Sequence, residues 1–245
     1  MLFRSHAVLV SDSLYEKTFV ELIGLNIHDN GSAIPTPPLG AAGGILTSSA
    51  DNLIERCWVH DNRGVAIELY TNEDVEVDAT RSTDRTVIRS NRIHDHPEGG
   101  MLISGGAEVL VYNNLVYRGG SAITVWWEST DVRLFNNTIH DLPVGDATGI
   151  RLYPSSSNTV VRNNLVYLPN QMGLELQDDG APGTIAEDNF FDDPSFVAPG
   201  GGDFHLKAGS PAIDSGATLP EVEDDFDGVK RPQGNRYDIG AFEAR

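Results

Sequence analysis

Short runs in which apolar residues alternate with other types return along the whole chain, and such alternation gives an extended strand one buried face. Three runs recur in each period. The first ends just before an asparagine-rich step, as in Val109-Leu110-Val111-Tyr112, Val132-Arg133-Leu134-Phe135 and Thr159-Val160-Val161-Arg162. The second opens on asparagine: Asn91-Arg92-Ile93-His94, Asn114-Leu115-Val116-Tyr117, Asn137-Thr138-Ile139-His140 and Asn164-Leu165-Val166-Tyr167. The third reads Ala66-Ile67-Glu68-Leu69, Ala122-Ile123-Thr124-Val125, Gly149-Ile150-Arg151-Leu152 and Gly173-Leu174-Glu175-Leu176. Leu25-Asn26-Ile27-His28 and Cys57-Trp58-Val59-His60 are degenerate copies of the second run, and Asn189-Phe190-Phe191-Asp192 is the last. Phe19 to Ile23 already reads as a strand inside a coil, which suggests that the chain is a fragment with more coil ahead of it.

The fourth position of the asparagine run recurs at spacings of 32, 34, 23, 23 and 27 residues. The shortest of these is too short for a helix-pair repeat. Three strands per period, joined by turns rich in Gly, Asn, Asp and Ser, predict an all-β solenoid with three parallel sheets. Coils stacked at about 4.8 Å would let the asparagine amides bond up and down the axis, as side-chain ladders do in cross-β stacks. Such a ladder satisfies, from within, turn groups that would otherwise be buried unpaired. Asn113, Asn136 and Asn163 precede the column and deepen it. The predicted solenoid is a single-stranded parallel β-helix, and the crossover rule makes it right-handed.

Residues 1–192 read as coils and 193–245 as a tail of different composition. The tail is expected to cap the last coil, since an open solenoid end presents unpaired strand edges. Arg231 with Asp238 or Glu243 would be a structural ion pair within it.

On these repeats the chain resembles the right-handed parallel β-helix superfamily of pectate-lyase-like, carbohydrate-active proteins. The tail, through Asp193-Pro194-Ser195-Phe196, Gly209-Ser210-Pro211-Ala212-Ile213-Asp214-Ser215-Gly216 and Asp238-Ile239-Gly240-Ala241-Phe242-Glu243, resembles the choice-of-anchor Q domain of secreted bacterial proteins. The resemblance implies an exported, secreted or cell-surface bacterial protein. It also implies that the sheet built from the Gly-Ile-x-Leu runs holds substrate. Met1-Leu2-Phe3-Arg4-Ser5-His6 lacks the apolar core of a signal peptide, so the leader expected of an exported protein is absent from this chain.

Charge narrows the partner. Lys and Arg number 17 against 36 Asp and Glu, a formal charge of −19, and nucleic acid needs a cationic face. The same charge repels acidic polysaccharides unless a cation or a local basic patch intervenes. A polysaccharide, neutral or calcium-bridged, is the expected ligand. No motif demands a cofactor; Ca2+ is the cation that would bridge, and no metal ligands are assigned. Cys57 is the only cysteine, so no intramolecular disulfide exists, and no apolar run is long enough for a membrane span. A monomer is expected.

The long inserts Gly31 to Gly44 and Thr71 to Arg85 flank the Gly-Ile-x-Leu sheet and make it the floor of a groove. Aligning Ile150 with Leu174 puts Glu68, Arg151 and Glu175 in one outward column, and Tyr70, Trp126 and Tyr153 in the next. Sugar rings stack on aromatic faces while their hydroxyls bond to polar groups, so Trp126, Tyr153, Tyr70, Glu68 and Glu175 are candidate binding residues. Arg151 and Glu175 should be neighbours, either as a plain cross-strand ion pair or with Arg151 as the base or clamp of a β-eliminating lyase. Glu128 and Asp179 fall at matching turn positions two coils apart, roughly 9.5 Å. That separation suits the acid and base of an inverting glycoside hydrolase. The rival to lyase and hydrolase alike is a non-catalytic glycan-binding or structural surface module. The His-Asp steps at His28, His60, His94 and His140 share a position with Tyr117 and Tyr167, so stacking in the coil accounts for them without chemistry.

Overall fold

A computed structural model describes residues 7–10, 19–30, 43–70, 83–170 and 174–245. Three parallel sheets wrap one core. Sheet 1 stacks seven strands, Val8–Val10, Ile45–Thr47, Ile67–Leu69, Met101–Ser104, Ile123–Trp126, Ile150–Leu152 and Leu176–Asp178. Sheet 2 stacks Glu21–Ile23, Leu53–Glu55, Val87–Arg89, Leu110–Tyr112, Arg133–Phe135, Val160–Arg162 and Ile185–Glu187. Sheet 3 stacks Asn26–His28, Trp58–His60, Arg92–His94, Leu115–Tyr117, Thr138–His140 and Leu165–Tyr167. Each coil runs through sheet 2, sheet 3 and sheet 1 in turn. A strand, Val8–Val10, thus precedes the Glu21–Ile23 strand.

Three-residue strands decide what fills the interior. In sheets 2 and 3 the middle residue points in, giving the buried columns Ile54, Ile88, Val111, Leu134, Val161 and Val59, Ile93, Val116, Ile139, Val166. In sheet 1 the flanking residues point in instead, as Ile67 with Leu69, Ile123 with Val125 and Ile150 with Leu152.

Between sheets 2 and 3 one residue per coil turns the chain with φ between 48° and 67°: Gly24, Arg56, Ser90, Asn113, Asn136, Asn163 and Asp188. Asn and Asp tolerate this left-handed region because their short side chains bond locally. The next residue forms the ladder. The Cys57 N–H donates to Asn91 Oδ1 at 2.9 Å, and the amides of Asn91, Asn114, Asn137, Asn164 and Asn189 follow in sequence at 2.9–3.1 Å. Each Nδ2 also donates to a strand carbonyl, such as Asn114 to Ile88 and Asn137 to Val111.

The tail lies along the flank of the coils, where a cap over the last coil was expected. Its antiparallel hairpin, Phe196–Ala198 with Asp203–Leu206, lays Phe204 against Tyr117 and His140 at ring separations of 4.8 and 5.7 Å. The corner asparagines grip its backbone. Asn113 Nδ2 donates to Asp224 O, Asn136 Nδ2 to Asp238 O and Gly240 O, and Asn163 both donates to and accepts from Ala217. The reason is apolar area: outward Leu115 and Leu165 on sheet 3 require cover and receive it from Phe196, Ile239 and Phe242. The last strand of sheet 2, Ile185–Glu187, remains exposed along its length, with Ile185 at 44%. Inside the tail, Arg231 and Glu243 form an ion pair at 2.5 Å with both side chains wholly buried, and Asp238 offers Arg231 only its backbone carbonyl.

Candidate functional site

The outward face of sheet 1 is fixed by strand register. Leu46, Glu68, Leu102, Thr124, Arg151 and Gln177 form one column. Trp126 pairs with Ser104 in the next. Tyr70, Tyr153 and Asp179 take equivalent places, since their N–H groups bond to Thr47, Val125 and Leu152 of the preceding coils.

Leu176, not Leu174, stands opposite Ile150, which shifts the final coil by two residues from the expected alignment. A slip of one residue would have turned the apolar set outward, whereas a slip of two keeps the alternation intact. Three expectations change with it. Glu175 lies level with Gly149, so the strand neighbour of Arg151 is Gln177. Asp179 joins the Trp126 and Tyr153 column instead of a turn position matching Glu128. The two carboxylates therefore do not occupy the matching turn positions on which the hydrolase expectation rested.

What register brings together is an aromatic corner with an ion pair beside it. Trp126 meets Trp127 edge-on at 6.0 Å and Tyr153 at 6.2 Å. Trp127 and Glu128 have φ of 41° and 51°, two successive left-handed residues where the strand ends. Such backbone is costly for a bulky side chain and needs support. Two bonds supply it: the Trp127 N–H donates to Ser155 Oγ at 3.1 Å, and the Ser129 hydroxyl to Trp126 O at 2.6 Å. Arg151 lies over the Tyr153 ring at 4.6 Å and donates from Nε to Asp179 Oδ2 at 2.9 Å. Gln177 Nε2 donates to the other carboxylate oxygen at 2.8 Å. The Arg151 guanidinium, then the Gln177 amide, hold the Asp179 carboxyl below the usual carboxylate range. An ionised Asp179 orients Arg151 and has no proton to give a leaving group.

The remaining candidates take no part in these contacts. Glu128 is exposed and makes no ion pair among the described residues. Glu68 is only 5% exposed on its column, and Tyr70 is partly buried. Most of both long inserts, 31–42 and 71–82, lies outside the described residues. Sequence reasoning passed over Trp127 and Gln177. The doubled tryptophan was a visible signal for the first, while the two-residue slip set the second in the Trp126 and Tyr153 column and gave its place beside Arg151 to Glu175.

On sheet 3 the histidines form a stack. His28, His60, His94 and Tyr117 follow at 4.9, 5.1 and 4.7 Å, and each of the three His Nδ1 atoms bonds to the next Asp at 2.6–2.7 Å. Asp225, in the Asp225-Phe226-Asp227-Gly228 turn, spends its carboxylate on the N–H groups of Asp227, Val229 and Glu243. Among the described residues no group of three or more His, Cys, Asp or Glu is placed to hold a metal ion, and no helix is long and apolar enough to cross a membrane.

Residues 79–210, more than half the chain, match the family described as the right handed beta helix region. The chain belongs to the right-handed β-helix family. No curated protein sequence matches this β-helix chain. Among solved structures, the pectate lyase Pel9A is similar over 97% of this chain and 77% of its own, at 12% identity and a TM-score of 0.42. XylC, solved in complex with xylose, is similar over 84% of this chain and 43% of its own, at 14% identity and a TM-score of 0.44. The periplasmic alginate epimerase AlgG is similar over 76% of this chain and 46% of its own, at 13% identity and a TM-score of 0.34. The β-helix chain thus spans less than half the length of the last two.

Proposed function

We propose that this protein binds polysaccharide across the outward face of sheet 1, with Trp126, Trp127 and Tyr153 as the stacking surface. The observation that carries the reading is the placement of Arg151 over the Tyr153 ring, which in turn meets Trp126 and, through it, Trp127. Its Nε is committed to Asp179, while its terminal nitrogens make no hydrogen bond among the described residues. Sugar rings offer an apolar C–H face and peripheral hydroxyls or carboxylates, and this corner presents the complement of both. Polysaccharides of this kind lie outside cells, so the reading includes export to the cell surface or medium.

Cleavage by β-elimination is the second reading, favoured by the same fixed guanidinium. A lyase would use Arg151 to bind or deprotonate at the uronate carboxylate side, and calcium would be the cation to acidify the sugar C5 proton.

Affinity electrophoresis against neutral and uronate polysaccharides, with and without calcium, tests the first reading. Trp126→Ala and Tyr153→Ala should each weaken retention about tenfold, since one stacked ring contributes on the order of 1 kcal/mol beyond its area. Unchanged retention in both would overturn the platform. New reducing ends or unsaturated-uronate absorbance, abolished by Arg151→Ala, would establish the lyase reading. Binding without either product assigns the protein to non-catalytic recognition.

A further inference from the structure

The tail covers the sheet 2 to sheet 3 corner from Asn113 onward and leaves the coils before it open. At the step where it stops, Arg56, Cys57, Trp58, Ser90, Arg92 and Phe226 line an open cavity of about 380 Å³. This is within the size range of small-molecule sites.

Trp58 is 45% exposed, yet its ring is held in place. Its Nε1–H donates to His94 Nε2 at 2.7 Å, so the His94 proton sits on Nδ1, which donates to Asp95 at 2.6 Å. Asp95 is gripped in turn by Arg118 Nε and Nη2 at 3.1 and 2.7 Å, and the Arg118 guanidinium rests on Tyr117 at 4.8 Å. His94 is itself packed between His60 and Tyr117 in the ring stack. A surface tryptophan needs no such chain of supports merely to cover apolar area. Fixing the ring in advance removes the ordering cost of binding to its open face.

Arg92 is the second part. Its Nη1 donates to Gly202 O at 3.1 Å, and its guanidinium lies 5.9 Å from the Phe226 ring centre. Among the described residues it has no carboxylate at ion-pair distance, although it lies near enough to Asp203 to help hold that carboxyl down, in a chain where acids outnumber bases 36 to 17. Holding the tail explains one of its N–H groups and leaves the others. Arg56 stands at the rim, paired through Nη1 with Glu55, which also serves Arg89. Cys57 is buried and forms the floor; desolvation pushes its thiol up, so it remains protonated and inert.

We infer that this cavity is a second ligand site, taking a carboxylate-bearing pyranose whose apolar face stacks on Trp58 and whose carboxylate meets Arg92, with Arg56 at the rim. It sets two guanidinium groups, of which only Arg56 is in an ion pair, on a strongly acidic molecule, so it offers an anionic ring a contact that most of the surface does not. A planar guanidinium beside a fixed aromatic ring matches a ring acid better than a bare anion, because both the carboxylate and the ring face are engaged.

The test uses the full chain carrying Trp126→Ala, Trp127→Ala and Tyr153→Ala, which leaves Trp58 as the only indole and removes all three rings of the sheet 1 platform. Galacturonate, galactose and inorganic phosphate are titrated while the indole N–H resonance of Trp58 is followed by NMR. Galacturonate should shift it saturably, with galactose and phosphate each at least tenfold weaker. Arg92→Gln should weaken galacturonate at least tenfold, and Arg56→Gln less, with thermal midpoints measured to show that each variant is folded. An equal response to galactose, an equal response to phosphate, no response at all, or full binding in a folded Arg92→Gln, Arg56→Gln double variant would each overturn the proposal. Because the platform is absent in this background, the outcome does not depend on whether sheet 1 binds glycan.

Discussion

Asn137 makes four hydrogen bonds with one amide: its Oδ1 accepts two from Asn114, and its Nδ2 donates to Val111 O and Asn164 Oδ1. No other side chain of this size is donor and acceptor in the same plane, which is why the ladder was legible from residue type and spacing alone. Asn137→Ala should cost about 3 kcal/mol in chemical denaturation, since buried partners are left unsatisfied. Asn189→Ala, at the less buried end of the ladder, should cost clearly less. The buried Arg231–Glu243 pair follows a related logic. Burial pushes Arg231 down and Glu243 up, so neither charge is comfortable alone. Arg231→Met should therefore destabilise by about 3–5 kcal/mol, because it strands a carboxylate in the interior. A loss under 1 kcal/mol would show that Glu243 finds another partner or a proton. The pair was foreseeable as an ion pair, but the choice of Glu243 over Asp238 depends on backbone geometry that spacing does not encode.

Strands and turns were read from alternation, and alternation is blind to shifts by two. That is why the sheets were legible while the final Leu176–Asp178 strand was misplaced, and with it Glu175 and Asp179. The outward columns of sheet 1 were also legible, but not which outward faces elsewhere another segment would cover. Leu115 and Leu165 point out from sheet 3, and nothing in their own coils said that Phe204 and Ile239 would meet them. The ring-bearing strands of sheet 3 give a pH dependence. His94 and His140 are held below the ordinary histidine range, mainly by desolvation, as is the buried His96. Below that ordinary value the unfolded chain binds protons that the folded coils refuse, so stability falls as pH drops through it. His205 acts in the opposite sense. Burial opposes its charge, but bonds to Asp203 and Asp227 outweigh that and raise it. Its contribution is complete below the ordinary histidine value and disappears as pH rises through the raised one. Among the histidines three groups act against one, and that imbalance predicts a lower thermal midpoint at pH 5.5 than at pH 7, with the raised Glu243 and Asp238 carboxyls acting in the same sense as His205. His140→Tyr, which installs the residue found at this place in the neighbouring coils, should shrink the difference; an equal drop in wild type and variant would remove His140 from the account.

A molecule with a formal charge of −19 repels itself when compact. Its thermal midpoint should rise by several degrees between low ionic strength and about 0.3 M salt, where the Debye length is well under 10 Å. A flat response would mean that local ion pairs, such as Arg85–Asp51 and Arg118–Asp95, already neutralise the field. The tail contributes at this scale as well. Phe204→Ala, which empties the contact with Tyr117 and His140, should cost about 3–5 kcal/mol and expose the hairpin to protease before the coils.

Asn113, Asn136 and Asn163 each hold a different stretch of the tail, and they sit on three consecutive turns of the solenoid. The tail is therefore a gauge of fixed length laid against a stack of identical steps. Adding or deleting a whole turn between Asn113 and Asn163 would throw every grip after it out of phase, although the stack itself would tolerate the change. Relatives of this chain should accordingly differ in size ahead of Ser90 and keep that three-turn stretch constant.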